Sequence, residues 1–158
     1  MARRIQVGEP QNDSEKRVFE YLEQHLPEEY TLFSNVSLSD SGKSLDLDGV
    51  ILAPHAIYVV EIKEAKGISG DAFKWEIARL SGNVYVPKKH PLNVVEHKTR
   101  VLASKLHKHK NLEDIYIQDC ICLYSPEKPI TSVQDDPDRM KKVFWYRGSE
   151  TFFTDASA

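Results

Sequence analysis

Two neighbouring stretches carry the residues best suited to chemistry. Leu45-Asp46-Leu47-Asp48-Gly49-Val50-Ile51-Leu52-Ala53 is followed, after Pro54-His55, by Ile57-Tyr58-Val59-Val60-Glu61-Ile62-Lys63. Both read as strands, rich in apolar and β-branched residues and bounded by turn formers. A two-residue loop at Pro54-His55 sets Asp48 opposite Glu61 and Asp46 opposite Lys63 in an antiparallel pair. Alternation then puts these four on one face and Leu45, Leu47, Ile51, Tyr58, Val60 and Ile62 on the other, the core face. Opposed residues bring their Cβ atoms to ~4.5–5.5 Å. Two carboxylates that close repel unless a proton or cation lies between them. A hard cation such as Mg²⁺ takes one or two carboxylates together with waters and phosphate oxygens. Lys63, two residues beyond Glu61, is placed to orient a water or neutralise charge on a phosphate in transfer. A metal with such a lysine suits phosphodiester hydrolysis. The same pattern also reads as the solvated face of an edge hairpin. A three-residue loop would send Asp48 and Glu61 to different faces.

These strands need elements around them. Residues 13–26 read as an amphipathic helix, with Val18, Phe19, Leu22 and Leu26 at helical spacing and Pro27 as a stop. Asn12 as N-cap, with Glu15 three residues on, forms a capping-box pattern. Thr31 to Leu38 reads as a strand, followed by a polar turn at 39–43. Residues 66–90, punctuated by Gly67, Gly70, Gly82 and Pro87, read as short strands and loops. Residues 92–109 form a second helix, with Val94, Val95, Val101, Leu102 and Leu106 towards the core. Ile115 to Tyr124 is a buried strand, 125–140 a polar loop with three prolines, Lys142 to Tyr146 a strand and Thr151 to Thr154 a short one. The order αβββαβ predicts an α/β fold, a mixed central sheet with helices on its faces. Residues 1–11 read as an N-terminal arm and 12–158 as a single domain. The sequence closes on Thr154-Asp155-Ala156-Ser157-Ala158, like the first turn of a helix cut short, which predicts the N-terminal part of a longer protein.

Composition narrows the function classes. A chain of 158 residues is close to one ordinary domain. A net charge of −3 and a pI near 6.1 exclude a histone-like, globally basic protein, so a nucleic-acid surface must be a local patch. Two cysteines, Cys120 and Cys122, give no disulfide framework and predict a reducing, cytoplasmic setting. Neither an export signal nor an apolar run of spanning length is present, so no membrane is expected.

The helix with its early Glu15, then Leu47-Asp48 in a strand, then Ala56-Ile57-Tyr58-Val59-Val60-Glu61-Ile62-Lys63, resembles the nuclease-related domain, NERD, of the PD-(D/E)xK nuclease-like superfamily. The likeness runs from about Ser14 to Leu106 and continues weakly beyond. It implies a restriction-endonuclease-like fold. By resemblance, Asp48 and Glu61 match the metal-binding acids, Glu15 the acid on the first helix and Lys63 the catalytic lysine. The hairpin register, for its part, sets Asp46 beside Lys63 as a supporting partner. The implied cofactor is Mg²⁺ or Mn²⁺ and the implied substrate DNA. Leu47 stands where the superfamily often has proline, and Val94 where the family's Asn-Pro-x-x-Gln has glutamine. Relatives are often the front part of larger bacterial proteins, fused to a kinase, helicase or other nucleic-acid-processing domain. The opening residues look most like members of phage-defence systems.

Weaker signals accompany these. Residues 88–110 hold Lys88, Lys89, Lys98, Arg100, Lys105, Lys108 and Lys110 against one acid, Glu96. Lys88, Lys89 and Lys98 are the candidates for a phosphate backbone; Lys105 to Lys110 read as a basic last turn suited to the helix dipole. Trp75 and Trp145 could stack on bases, although packing accounts for aromatics in half-buried strands. Cys120 and Cys122 read as core rather than zinc ligands. No phosphate-cradling glycine motif is present, so no nucleotide cofactor is expected. Two functions fit: a metal-dependent nuclease-like domain hydrolysing DNA, or a nuclease-fold module for DNA binding or protein docking without catalysis.

Overall fold

The computed structural model describes residues 1–126 and 130–146. Their order is β1 (Arg3–Gln6), α1 (Asp13–His25), β2 (Thr31–Asp40), β3 (Lys43–Leu52), β4 (Ile57–Glu64), β5 (Gly67–Asp71), β6 (Trp75–Ala78), β7 (Val84–Tyr85), α2 (Pro91–Leu106), β8 (Ile117–Tyr124), β9 (Ile130–Gln134), α3 (Pro137–Met140) and β10 (Val143–Tyr146). A six-stranded mixed sheet runs β1-β2-β3-β4-β8-β10, and a four-stranded sheet runs β7-β6-β5-β9. The fold class is mixed α/β, but its order is longer than αβββαβ. The arm contains β1, which pairs parallel to β2. The stretch read as a polar loop contains β9 and α3. The strand expected at Thr151–Thr154 lies outside the described residues.

α1 starts as its cap predicts: Asn12 accepts the Glu15 N–H at 2.9 Å. Its buried residues Val18, Phe19 and Leu22 pack on one face of the large sheet with Leu32, Ile51, Val60 and Ile62. α2 covers the other face, where Leu92, Val95 and Leu102 meet Leu47, Val59, Ile121 and the small sheet's Ile68, Trp75 and Ile77. His90 caps α2 by accepting the Leu92 N–H at Nδ1, which leaves its Nε2–H to donate to the Asp71 carbonyl at 2.9 Å. Val94 and Val101 are only half-buried, so the buried stripe is Leu92, Val95, Thr99 and Leu102.

β2 and β3 join through Ser41-Gly42, both with positive φ, as a tight hairpin turn of this hand requires. Inside this hairpin the faces change over. Leu32 and Ile51 belong to the α1 side, whereas Val36, Leu38 and Leu47 belong to the α2 side. Strict alternation would keep Leu47 with Ile51, as the sequence predicts. The cause is Asn35, whose φ of 57° lies in the left-handed region and turns the strand over.

Candidate functional site

The register of β3 and β4 follows from the two-residue loop. The Ala53 N–H donates to the Ala56 carbonyl at 2.9 Å, and the pairs run from Leu52–Ile57 to Gly49–Val60. There the ladder ends. Asp48, next in line towards Glu61, inserts its carboxylate where the ladder would continue, and its Oδ2 accepts the Ile62 N–H at 2.8 Å. The two strands part into a seam with Asp48 in it. Gly49, the last paired residue, lets the Phe19 ring pack directly on β3: a Cβ there would lie 2.6 Å from Cε1 of Phe19.

Three carboxylates meet at the seam. Glu61 is 8% exposed and Glu15 3%. Asp48 lies within hydrogen-bonding reach of both. Burial, then the charge of Glu61 beside it, raises the Asp48 pKa to about 6. Burial also raises Glu15, against the opposing effect of the Gln11 N–H that its Oε2 accepts at 2.7 Å. The same Oε2 accepts from Asn35 Nδ2 at 3.3 Å. Glu15 therefore ties down the chain at α1's entry and faces Asp48 as well.

The positive charge at the centre comes from an unexpected element. Lys98 Nζ donates to Glu61 Oε1 at 2.7 Å, with both side chains mostly buried. Its charge also pulls the Asp48 pKa down. The basic-patch reading of Lys98 is corrected here: position 98 falls between Val95 and Leu102 on the buried stripe, so its side chain points to the sheet. That spacing was the available signal, a lone lysine on an apolar stripe. Lys88 and Lys89 remain exposed.

Lys63 is half-buried and lines a cleft of about 420 Å³ with Asn12, Glu64, Arg79 and Tyr85. It has no hydrogen-bond or ion-pair partner among the described residues. Arg79, absent from the sequence candidates, is held with its guanidinium 4.1 Å over the Tyr85 ring. Asp46 stands elsewhere. Since the β3–β4 ladder ends at Gly49, the expected Asp46–Lys63 pair does not form, and Asp46 Oδ1 accepts from Ser37 at 3.0 Å and Ser44 at 3.3 Å. Trp75 is fully buried, so it packs rather than stacks on bases, and burial raises the pKa of both cysteines.

The fold and the seam define a mixed α/β domain with clustered carboxylates where two strands part, one of them paired to a lysine from α2. The chain belongs to the nuclease-related domain family, NERD, whose model matches residues 10–124, well over half of its length. No curated protein and no solved structure matches it. No helix among the described residues is long and apolar enough to cross a membrane.

The donor chemistry fits a hard cation: oxygen ligands only, with two carboxylates close enough to need a charge between them. The number of acidic ligands is short. Among the described residues no group of three or more His, Cys, Asp or Glu side chains is arranged to hold a metal ion. The Gln11 and Asn35 donors occupy Glu15 Oε2, and the Lys98 ammonium occupies Glu61 Oε1.

Proposed function

We propose that this chain is a metal-dependent nuclease domain of restriction-endonuclease-like fold that hydrolyses DNA phosphodiesters. The observation that carries it is the Asp48–Glu61 pair in the seam, with Lys63 two residues along β4. Asp48 and Glu61 would hold Mg²⁺ or Mn²⁺, with Glu15 assisting. The bound cation supplies Lewis-acid polarisation of a phosphoryl oxygen. Lys63, without a partner among the described residues, orients the attacking water and stabilises charge on the phosphate. Lys88 and Lys89 add electrostatic attraction for the backbone, independent of sequence. We further propose that the domain works in the cytoplasm within a bacterial nucleic-acid-processing or phage-defence protein, alongside a kinase, helicase or related region.

A second reading is a nuclease-fold module for DNA binding or docking without catalysis. Lys98 on Glu61 supports it, because that pair neutralises the centre without a metal. Cleavage of supercoiled plasmid and single-stranded DNA in Mg²⁺, Mn²⁺ or EDTA, with wild type beside Glu61→Ala, separates the two. Metal-dependent nicking that disappears in the variant supports the nuclease. Equal traces in both support the module.

A further inference from the structure

Asn35 has features that a structural turn alone does not explain. Its left-handed φ of 57° is one that asparagine tolerates better than most residues. It stands opposite Asp48, between the Ser34–Gly49 and Val36–Leu47 pairs. Its Nδ2 donates to Glu15 Oε2, which fixes the amide's orientation, since the flipped amide would set Oδ1 against that carboxylate. With Nδ2 so committed, Oδ1 is buried and has no hydrogen-bond partner. A buried amide oxygen left unpaired is destabilising, because it gives up its hydrogen bond to water and gains none in return. Asn35 and Asp48 line one cavity of about 170 Å³, shared with Glu9, Gln11 and Asp46.

We propose that Asn35 belongs to the metal centre, its Oδ1 supplying a neutral oxygen ligand beside Asp48 while its Nδ2 holds Glu15 in place. Hard cations accept Asn side-chain carbonyls alongside carboxylates. This donor makes up for the Glu15 oxygen that Gln11 and Asn35 occupy. The inference rests on the cation-binding reading above.

The test is Mn²⁺ binding to the whole chain, followed by electron paramagnetic resonance of free Mn²⁺, without any substrate. Asn35→Gly keeps the left-handed backbone and removes the amide. It should weaken Mn²⁺ binding by about 10-fold or more, the scale seen when residues that support metal ligands are removed. Asn35→Asp keeps an oxygen at the same place but gives up the donor to Glu15, and it should bind Mn²⁺ at least as tightly as wild type. Thermal melts confirm that each variant is folded. If both variants fall in affinity equally, the role is only to hold Glu15, and the ligand assignment is overturned. If Asn35→Gly binds like wild type, it is overturned too. Wild type that fails to bind Mn²⁺ at millimolar concentration overturns the cation-binding reading itself.

Discussion

Lys98 and Glu61, 37 residues apart, form a 2.7 Å ion pair that joins α2 to the middle of β4 at the acidic seam. The ammonium therefore acts as an internal counter-ion to Glu61, and under the proposed cation-binding reading a metal would have to compete with it.

That competition is measurable. Lys98→Met keeps the stem and removes the charge, which leaves Glu61 buried without its partner. The metal-free variant should melt lower, by the equivalent of about 2–3 kcal/mol for a pair that is not fully buried. Mn²⁺ should then raise its melting temperature more than it raises that of wild type. Equal shifts would show that Lys98 and the cation do not share Glu61.

The raised pKa of Asp48 gives a pH dependence with a definite sign. The metal-free folded chain holds this proton more tightly than the unfolded chain does. From about pH 3.8 to about pH 6 the folded state therefore binds more protons, and stability falls as pH rises. Above that range the penalty is complete. Asp48→Asn keeps an oxygen for the Ile62 N–H and removes the penalty. It should stabilise the protein at pH 8 by up to about 3 kcal/mol, leave it unchanged near pH 3.5 and abolish Mn²⁺ binding. A lower melting temperature at pH 8, read by calorimetry, would refute this.

Gly49 is tested through its neighbour. Gly49→Ala drives a methyl into the Phe19 ring and should cost about 1–3 kcal/mol, as overpacking does. Phe19→Leu makes room, so the double variant should be more stable than the sum of the single effects predicts. Urea unfolding of all four proteins closes the cycle.

Salt should separate the roles of the exposed lysines from those of the seam. Replacing Lys88 and Lys89 with glutamine should weaken binding to any DNA sequence alike and lower the salt slope by about 1 for each phosphate no longer neutralised. Fluorescence anisotropy at several salt concentrations reads this, and an unchanged slope would remove the two lysines from the interface.

Much of this arrangement was legible in the chain. The Pro54-His55 loop determined the β3–β4 register, and Asn12 announced α1. Local turn and cap chemistry decides both, and that chemistry is written in adjacent residues. The change of faces at Asn35 was not legible, because a left-handed residue inside a strand leaves the alternating pattern unaltered on either side. Asp46 went astray for the same reason: its predicted place assumed an unbroken ladder. Lys98 was hidden by its company. Six other basic residues lie between 88 and 110, and only their angles around the helix tell one buried lysine from a solvated run. β9 was missed because Ile130–Gln134 finds its partner in β5, far away in sequence.

The parted seam also makes the large sheet an incomplete structure. Past Gly49 and Val60, the free end of the β2–β3 hairpin is tied to β4 by one side chain instead of main-chain rungs. A cation gripped by Asp48 and Glu61 would supply the missing rung. Loading the site would then stiffen the arm from Val36 to Leu47, and the protein's rigidity would report its occupancy.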